Sequence, residues 1–280
     1  MRLAASLAFA LALAAGAASA AGTLDRIRDS GAVRFGYRED AAPLAYVDEN
    51  AKPAGYSVMI CGAVAESLAG QLGLPELAVD WQPVTASDGF DAVAGGKIDL
   101  LCGAASITLT RRELVDFSLP TFVDGAAVML PRDAVTEFEA LAGKRIGVHA
   151  ATTTEEILKN TLDAKAMQAE VVPFDTHDAG LAALEAREVD AYFGDQSILF
   201  GLFFASDLSE QLVVSENTLT VEKHGLALAR GDSDFRLAVD RAVSELFTSG
   251  RMAEFFGAAF PGASPGVALQ ALFLLGPDLP

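Results

Sequence analysis

Two kinds of apolar pattern alternate along the chain. Short continuous apolar runs, typical of buried strands, follow segments whose apolar residues recur at helical spacing. The predicted strands are Val33–Tyr37, Leu77–Trp81, Ile98–Cys102, Lys144–Val148 and Val189–Phe193. The predicted helices are Ser57–Leu72, Ser87–Ala94, Thr154–Leu162, Ala179–Ala186, Phe235–Thr248 and Arg251–Phe256. This alternation predicts an α/β fold with largely parallel sheets.

Two stretches of the chain are similar to each other without a gap. They are GFDAVAGGKIDLLCGA (residues 89–104) and GLAALEAREVDAYFGD (residues 180–195). Each predicts a helix, a tight connection and an apolar strand with Asp as its second residue. Two similar α/β lobes are therefore expected. Because ligands of open α/β sheets bind beyond the carboxyl ends of strands, residues 103–106 and 194–195 are candidate edges of a site.

The N-terminus has the pattern of a secretory signal peptide. Arg2 precedes an apolar run that ends in Ala18-Ser19-Ala20, a small-x-small cleavage sequence. We expect residues 1–20 to be cleaved and the mature chain to be exported to the periplasm. The alternative is a membrane anchor, for which the apolar run is short.

Charge and cysteine content narrow the possible partners. The net charge is −18, and removal of Arg2 leaves 19 basic residues against 38 acidic ones. Such a surface repels nucleic acid and anionic lipid, so an anionic ligand would need a local cationic pocket. The spacing of Cys61 and Cys102 fits no metal site. An even cysteine count in an exported chain predicts one disulfide, with two buried free thiols as the alternative.

The stretch GAASITLTRRELVDFSLP (residues 103–120) leads from a predicted strand into hydroxyl groups and two arginines. In an extended chain, Ser106 and Thr108 point to the same side. Thr110 and the glutamate three residues later fit a capping box, which would make Arg111 the first helical residue. The free N–H groups of a helix start, together with an arginine, can bind a small carboxylate. A capped helix with a solvated arginine is the alternative.

A second helix start has a similar composition. After the strand that ends at Val148, the chain passes through three consecutive threonines, beginning with Thr152. Thr153 and Glu156 fit another capping box. The hydroxyl groups could face a ligand, and simple helix capping is the alternative.

The sequence resembles the extracellular solute-binding proteins of amino-acid ABC importers (family 3), especially the glutamate/aspartate-binding branch. The resemblance is carried by TLDRIRDSGAVRFGYREDAAPLAY (23–46), GKIDLLCGAASITLTRRELVDFS (96–118), GKRIGVHAATTTEE (143–156) and REVDAYFGDQ (187–196). It implies a two-lobed, type II periplasmic-binding-protein fold in which two crossover strands form the hinge. It also implies that lobe 1 comprises residues 21–120 and 224–280, and that lobe 2 comprises residues 126–218.

The resemblance further implies roles for single residues. Arg111 matches the arginine that grips the ligand α-carboxylate, and the hydroxyl residues before it match its partners. Asp195 matches the carboxylate that receives the α-ammonium, with a helix cap as the alternative. In the Gly-Thr-Thr turn of the second lobe, Ala151 replaces the glycine. The implied ligand-binding residues are Arg38, Ser106, Thr108, Arg111, Thr152, Thr153, His177 and Asp195.

The side-chain end of the implied pocket departs from the branch. Arg38 and His177 match residues that meet a side-chain carboxylate. A second arginine and a serine of that pocket correspond to Gly89 and Ala86, and the aromatic wall of the glutamine-binding branch is missing at Ala41 and Ala86. A polar or acidic amino acid is therefore the expected ligand.

The resemblance implies a binding protein without catalytic residues, cofactor or metal. We expect a monomer that delivers its amino acid to a membrane-embedded ABC permease. The alternative is a periplasmic dehydratase-type enzyme on the same scaffold, which would need a cleft carboxyl of raised pKa as general acid. Glu39 and Glu155 are candidates for it, although both fit solvated or capping residues. His224 stands where a tyrosine is usual, and we interpret it as a packed surface histidine.

Overall fold

The computed structural model describes residues 22–134, 137–206 and 210–278. The predicted signal peptide, residues 1–20, lies outside the described residues. The strands are β1 (Ala32–Arg38), β2 (Asp40–Ala41), β3 (Ala45–Val47), β4 (Pro53–Ala54), β5 (Ala78–Val84), β6 (Leu100–Cys102), β7 (Val115–Asp124), β8 (Ala126–Pro131), β9 (Arg145–His149), β10 (Glu170–Phe174), β11 (Ala191–Asp195), β12 (Leu212–Val214) and β13 (Glu222–Ala229). The helices are α1 (Thr23–Ser30), α2 (Tyr56–Leu72), α3 (Gly89–Ala94), α4 (Leu109–Leu114), α5 (Thr153–Ala164), α6 (His177–Glu185), α7 (Gln196–Ala205), α8 (Ser233–Thr248), α9 (Arg251–Ala259) and α10 (Val267–Leu275), with a 3₁₀ helix at Phe138–Leu141.

Two sheets of similar construction form the centres of the two lobes. The first runs in the order β5, β1, β6, β13, β7, and the second in the order β10, β9, β11, β8, β12. In each sheet the first two pairings are parallel and the last two are antiparallel. The expected α/β fold is confirmed. The expectation of largely parallel sheets is only half right, because strands that return from the other lobe pair in the opposite direction.

Each sheet is covered on both faces, which explains why its central strands are continuous apolar runs. In the first lobe, α2, α8 and α9 pack on one face and α3 on the other. In the second lobe, α5 and the 3₁₀ helix cover one face, and α6 and α7 cover the other. The carboxyl ends of the parallel strands of both sheets are left to face the space between the lobes.

The repeated stretches found in the sequence have a common structural role. Asp99 accepts a hydrogen bond from the Arg34 N–H at 2.8 Å, and Asp190 accepts one from the Arg145 N–H at 2.9 Å. In return, the N–H of each aspartate donates to the carbonyl of the same partner residue. Each aspartate therefore ties its strand to the start of the neighbouring parallel strand, and the two lobes use the same device.

The two connections between the lobes touch at Gly125, which lies between β7 and β8. A Cβ atom placed there would lie 2.1 Å from the Thr220 carbonyl oxygen. Next to it, Leu219 N–H donates to the Ala126 carbonyl at 2.7 Å. Only a glycine allows this approach of the two segments, which positions the lobes close together. The lobe ranges 21–120 with 224–280, and 126–218, stay a prediction.

Among the residues that the structure describes, no helix is both long enough and apolar enough to cross a membrane.

Cys61 and Cys102 form the expected disulfide. Cys61 lies on α2 and Cys102 ends β6, with 6.2 Å between their Cα atoms. Both side chains are fully buried in the core of the first lobe. The bond therefore fixes α2 to the central region of the first sheet, close to the strand end that leads to residue 103.

Replacing both cysteines by alanine should lower the free energy of unfolding by about 2–4 kcal/mol. The bond spans 41 residues of chain, and its loss restores the conformational entropy of the unfolded state. Urea unfolding of the wild type and of the Cys61→Ala/Cys102→Ala variant measures the difference. A reductant should lower the free energy of unfolding of the wild type by a similar amount and leave that of the variant unchanged. Two titratable thiols in the denatured, unreduced wild type would contradict the bond.

Candidate functional site

A cavity lies between the carboxyl ends of the two sheets. Gly103 and Gly194, the equivalent glycines of the two repeated stretches, both line it. Of the predicted ligand-binding residues, the following also line it: Arg38, Arg111, Thr152, Thr153, His177 and Asp195. The strand ends that the sequence indicated as site edges thus come together across one cavity.

Ser106 lies beside the cavity and joins the two lobes. Its hydroxyl is 3.1 Å from the hydroxyl of Thr153, which in turn donates to the Glu222 carboxylate at 3.1 Å. Because the Thr153 proton goes to Glu222, Ser106 donates to Thr153. This chain of hydrogen bonds crosses the cleft, so the structure shows the lobes in contact with each other.

Thr108, and not Thr110 as predicted, caps the helix that carries Arg111. The helix α4 begins at Leu109, and Thr108 is its N-cap, accepting a hydrogen bond from the Arg111 N–H at 3.1 Å. The prediction that Thr110 caps the helix and that Arg111 is the first helical residue is therefore wrong. The extended backbone of Thr108 permits the capping geometry, whereas Thr110 already lies within the helix. The Arg111 N–H is consequently occupied by this cap.

The second helix start is also shifted. Thr152, and not Thr153, is the N-cap of α5, and its hydroxyl accepts from the Glu155 N–H at 3.2 Å. Glu155 in turn accepts from the Ala151 N–H at 2.8 Å, one residue before the cap, so the acidic partner of this helix start is Glu155 and not the predicted Glu156. Ala151 has φ of 59°, a left-handed conformation that a glycine adopts more easily. Because the N-cap is one residue earlier than predicted, the Thr153 side chain is available to contact Ser106.

The Arg111 side chain is held in place on the wall of the cavity. Its guanidinium lies over the Phe90 ring, 4.4 Å from the ring centroid. Nη1 donates to the Ser106 carbonyl at 2.9 Å. Burial lowers the pKa of Arg111, and neighbouring carboxylates, including Asp195 and Glu222, act in the opposite direction. An arginine remains charged at any physiological pH. The cavity thus has a fixed, partly desolvated cation on one side.

Asp195 lies on the opposite side of the cavity, at the start of α7. It occupies the N-cap position of that helix, but its side chain makes no capping hydrogen bond. Asp124 caps α7 instead, by accepting from the Ser197 N–H and hydroxyl. The Asp195 carboxylate accepts from the Thr154 hydroxyl at 3.1 Å. The alternative role of Asp195 as a helix cap is therefore contradicted, and its carboxylate is free to face the cavity.

The electrostatic surroundings of Asp195 favour its neutral form. Burial raises its pKa to about 6; His224 opposes this, and the nearby carboxylates of Asp124 and Glu222 add to it. Burial disfavours a charge that has no full partner. A cationic ligand group at this carboxylate would lower its pKa again and would be bound by it.

His224 lies beneath Asp195 and is not a surface residue. Its exposed fraction is 2 %, because Ser106, Phe122 and Asp195 lie around it. Nε2 lies 3.7 Å from an Asp195 oxygen, beyond hydrogen-bond distance. Within the described part of the chain, neither ring nitrogen has a hydrogen-bond partner. His224 is therefore packed, as interpreted from the sequence, but it is buried and does not lie at the surface.

Arg38 and His177 lie at the other end of the cavity, together with two residues that the sequence analysis did not identify. Arg38 Nη2 contacts Asp40 at 2.7 Å and His149 Nε2 at 3.0 Å. The His149 and His177 rings lie 4.6 Å apart. Asp40 was predictable in principle, because it follows Arg38 by two positions in an extended segment and so projects to the same side.

Two groups of side chains contain the ligand types of a metal site. In the group Asp40, His149 and His177, the Arg38 guanidinium contacts both Asp40 and His149, so a cation already occupies this neighbourhood. The other group is Asp124, Asp195 and His224. There, Asp124 is engaged by the start of α7. In each group at least one ligand atom is thus engaged by a neighbouring part of the protein. The expectation of a site without metal stays a prediction.

Residues 33–260 match the family described as bacterial extracellular solute-binding proteins, family 3. An L-glutamate/L-aspartate-binding protein of Pseudomonas aeruginosa is 29 % identical over 260 residues, covering 92 % of this chain and 86 % of its own. A glutamate/aspartate import solute-binding protein of Escherichia coli is 27 % identical over 279 residues, covering 99 % of this chain and 92 % of its own. A crystal structure of a mutant of ArgBP from T. maritima has a TM-score of 0.75 and 24 % identity, over 85 % of this chain and 98 % of that one. The structural similarity to this ArgBP confirms the two-lobed fold.

Asp195→Asn should stabilise the ligand-free protein at pH 8 and change its stability little at pH 4. A pKa raised from 3.8 to about 6 means that this group destabilises the fold as pH rises through about 6, by on the order of 1–3 kcal/mol. Asparagine removes that charge without a change of size. Urea unfolding of dialysed, ligand-free protein at both pH values measures the effect.

Asp190→Asn is the matched control. Hydrogen bonding from the Arg145 backbone, followed by the lysine beside it, lowers the pKa of Asp190. Its neutralisation should therefore destabilise the protein at pH 8. A gain for Asp195→Asn that is equal at pH 4 and pH 8 would contradict the charge-burial account.

Proposed function

We propose that this chain, which belongs to family 3 of the bacterial extracellular solute-binding proteins, captures one free α-amino acid in the cavity between its lobes and delivers it to an ABC permease. The observation that best supports this proposal is that opposite charges lie on the two sides of one cavity. Arg111 comes from the first lobe and Asp195 from the second. A zwitterion is the ligand that satisfies both groups at once.

The α-carboxylate binds at Arg111. The guanidinium presents a planar set of N–H donors that matches a carboxylate, and its contacts with Phe90 and the Ser106 carbonyl hold that set in one orientation. Thr152 and Thr153 line the facing wall and supply backbone N–H donors near the same end, since their hydroxyl protons are bonded within the protein. The role of Ser106 is to position Thr153, and the role of Thr108 is to cap α4 behind Arg111.

The α-ammonium binds at Asp195. Three N–H donors of the ammonium can satisfy a buried carboxylate that receives one hydrogen bond from Thr154. Glu222, which raises the pKa of Asp195, adds negative potential at this end. The ligand side chain then extends toward Arg38 and His177, the residues at the opposite end of the cavity.

The remaining expectations form part of the same proposal. The relatives named above as glutamate/aspartate-binding proteins support a polar or acidic ligand. Residues 1–20 direct export to the periplasm and are removed. The lobes comprise residues 21–120 with 224–280, and residues 126–218, and the protein acts as a monomer.

We propose that the chain binds its ligand without transforming it. The family and the named relatives are binding proteins. The cavity carboxyl of raised pKa is Asp195, and the α-ammonium that we place there would hold it ionised and unable to act as a general acid. Of the two carboxyl groups considered as a general acid from the sequence, Glu39 is exposed. Burial favours a raised pKa at Glu155, but hydrogen bonds from Lys159 and Ala151 outweigh it and lower that pKa. Incubation with amino acids and prephenate-like substrates should give no turnover.

Arg111→Ala should weaken amino-acid binding at least about thirtyfold, because truncation of a buried charge-assisted contact costs roughly 2–5 kcal/mol. Calorimetry with the preferred ligand measures the loss. Arg112→Ala is the matched control, since Arg112 is exposed on the same helix and should bind normally. Normal binding by Arg111→Ala would refute the assignment of the α-carboxylate.

A thermal melting screen should identify the ligand as a free amino acid. A ligand that binds only the folded chain stabilises it by about 2.7 kcal/mol at a hundredfold excess over Kd. N-acetyl and α-amide analogues of the best ligand should give no shift, because each removes the charge that Asp195 or Arg111 requires. The largest shift from leucine or from a sugar, with none from glutamate, aspartate, glutamine or asparagine, would refute the proposed pocket.

A further inference from the structure

The cation at the side-chain end of the cavity is already paired within the protein. Arg38 donates from Nε at 3.0 Å and from Nη2 at 2.7 Å to the same oxygen of Asp40. The Arg38 side chain is only 8 % exposed and that of Asp40 is 24 % exposed, so the arginine half of this ion pair is shielded from solvent. A ligand carboxylate would therefore have to compete with Asp40 for Arg38.

Asp40 remains ionised in this arrangement. Burial favours a higher pKa, but the hydrogen bond from His149 and the charge of Arg38 outweigh it and hold the pKa of Asp40 well below its usual range. Its second oxygen lies 2.8 Å from His149 Nε2. The charges of Arg38 and Asp40 thus cancel, and a second anion placed beside them would meet the Asp40 carboxylate.

His177 adds a neutral donor to this end of the cavity. Burial, aided by the charge of Arg38, lowers its pKa well below the usual value, so the ring is uncharged. Burial raises the pKa of Tyr192, whose hydroxyl keeps its proton and lies 3.0 Å from His177 Nδ1. That proton needs an acceptor, which places the ring proton of His177 on Nε2.

The Nε2 atom of His177 has no partner in the part of the chain that the structure describes. It is buried, and His177 lines the cavity. A buried N–H without an acceptor is costly, and a ligand oxygen at this position would satisfy it. The side-chain end therefore offers a neutral N–H donor beside a cation that Asp40 already pairs.

We propose that Asp40 makes the cavity selective for an amino acid with a neutral amide side chain over one with a side-chain carboxylate. This rests on the proposed function, since it concerns the same cavity. An amide oxygen accepts from His177 without bringing a charge, whereas a carboxylate brings a second negative charge close to that of Asp40 and finds Arg38 already paired. A cationic side chain is disfavoured as well, because Arg38 is adjacent. A site built on hydrogen bonds discriminates strongly against analogues that leave its polar groups unmatched.

Calorimetric titration of the wild type with glutamine, asparagine, glutamate and aspartate is the first test. The better amide should bind at least about tenfold more tightly than the better acid, which corresponds to about 1.4 kcal/mol. Tighter binding of an acid would overturn the inference but support the proposed function. Binding of none of the twenty amino acids would instead refute the proposed function, so the two failures are distinguishable.

Asp40→Asn tests whether Asp40 is the residue that sets the preference. It removes the negative charge and frees Arg38, so the ratio of acid to amide affinity should rise at least about tenfold. Asp40→Ser is the second variant, in case the asparagine variant does not fold. Glu49→Gln is the matched control, because it removes one negative charge from an exposed position of the same lobe and should leave the ratio unchanged. An unchanged ratio in the Asp40 variants would overturn the assignment to Asp40.

Discussion

The organisation of the cleft depends on one buried carboxylate that lacks a full positive partner. Asp195 receives a hydrogen bond from Thr154 and lies 3.7 Å from the nearest nitrogen of His224, and burial raises its pKa. In a typical fold such a carboxylate at a helix start would cap that helix. Here Asp124 on the crossover strand caps α7 instead. The protein thereby keeps an uncompensated charge in the cavity, and a cation that arrives there recovers the cost of its burial.

The same cavity links ligand binding to the relative position of the lobes. The hydrogen-bond chain from Ser106 through Thr153 to Glu222, and the contact of Arg38 with His149, both cross the cleft. Neither set of contacts exists unless the lobes approach each other. Gly125 is where the two segments that connect the lobes touch. A ligand that binds both walls stabilises the closed arrangement by its differential affinity for it.

Local pattern was sufficient to predict the central strands, the longer helices and the strand ends that meet at the cavity. The repeated stretches even indicated the two lobes, and Asp99 and Asp190 turned out to have the same role in each. The helix starts were displaced, because several hydroxyl residues in a row fit a capping box and only the tertiary arrangement selects Thr108 and Thr152. The network of Asp40, His149 and His177 joins residues more than a hundred positions apart, which periodicity cannot detect.

The two ends of the cavity use charge in different ways. At the end that we propose for the α-carboxylate and the α-ammonium, Arg111 and Asp195 stand on opposite walls with no direct hydrogen bond between them, so each retains its attraction for an opposite charge. At the end that we propose for the ligand side chain, Arg38 and Asp40 neutralise each other and His177 is neutral, so hydrogen-bond geometry would decide what fits. Unpaired charges give strong but unselective attraction, and a balanced pair gives selectivity at little cost in net charge. This division allows a chain with a net charge of −18 to attract a zwitterion and still distinguish among side chains.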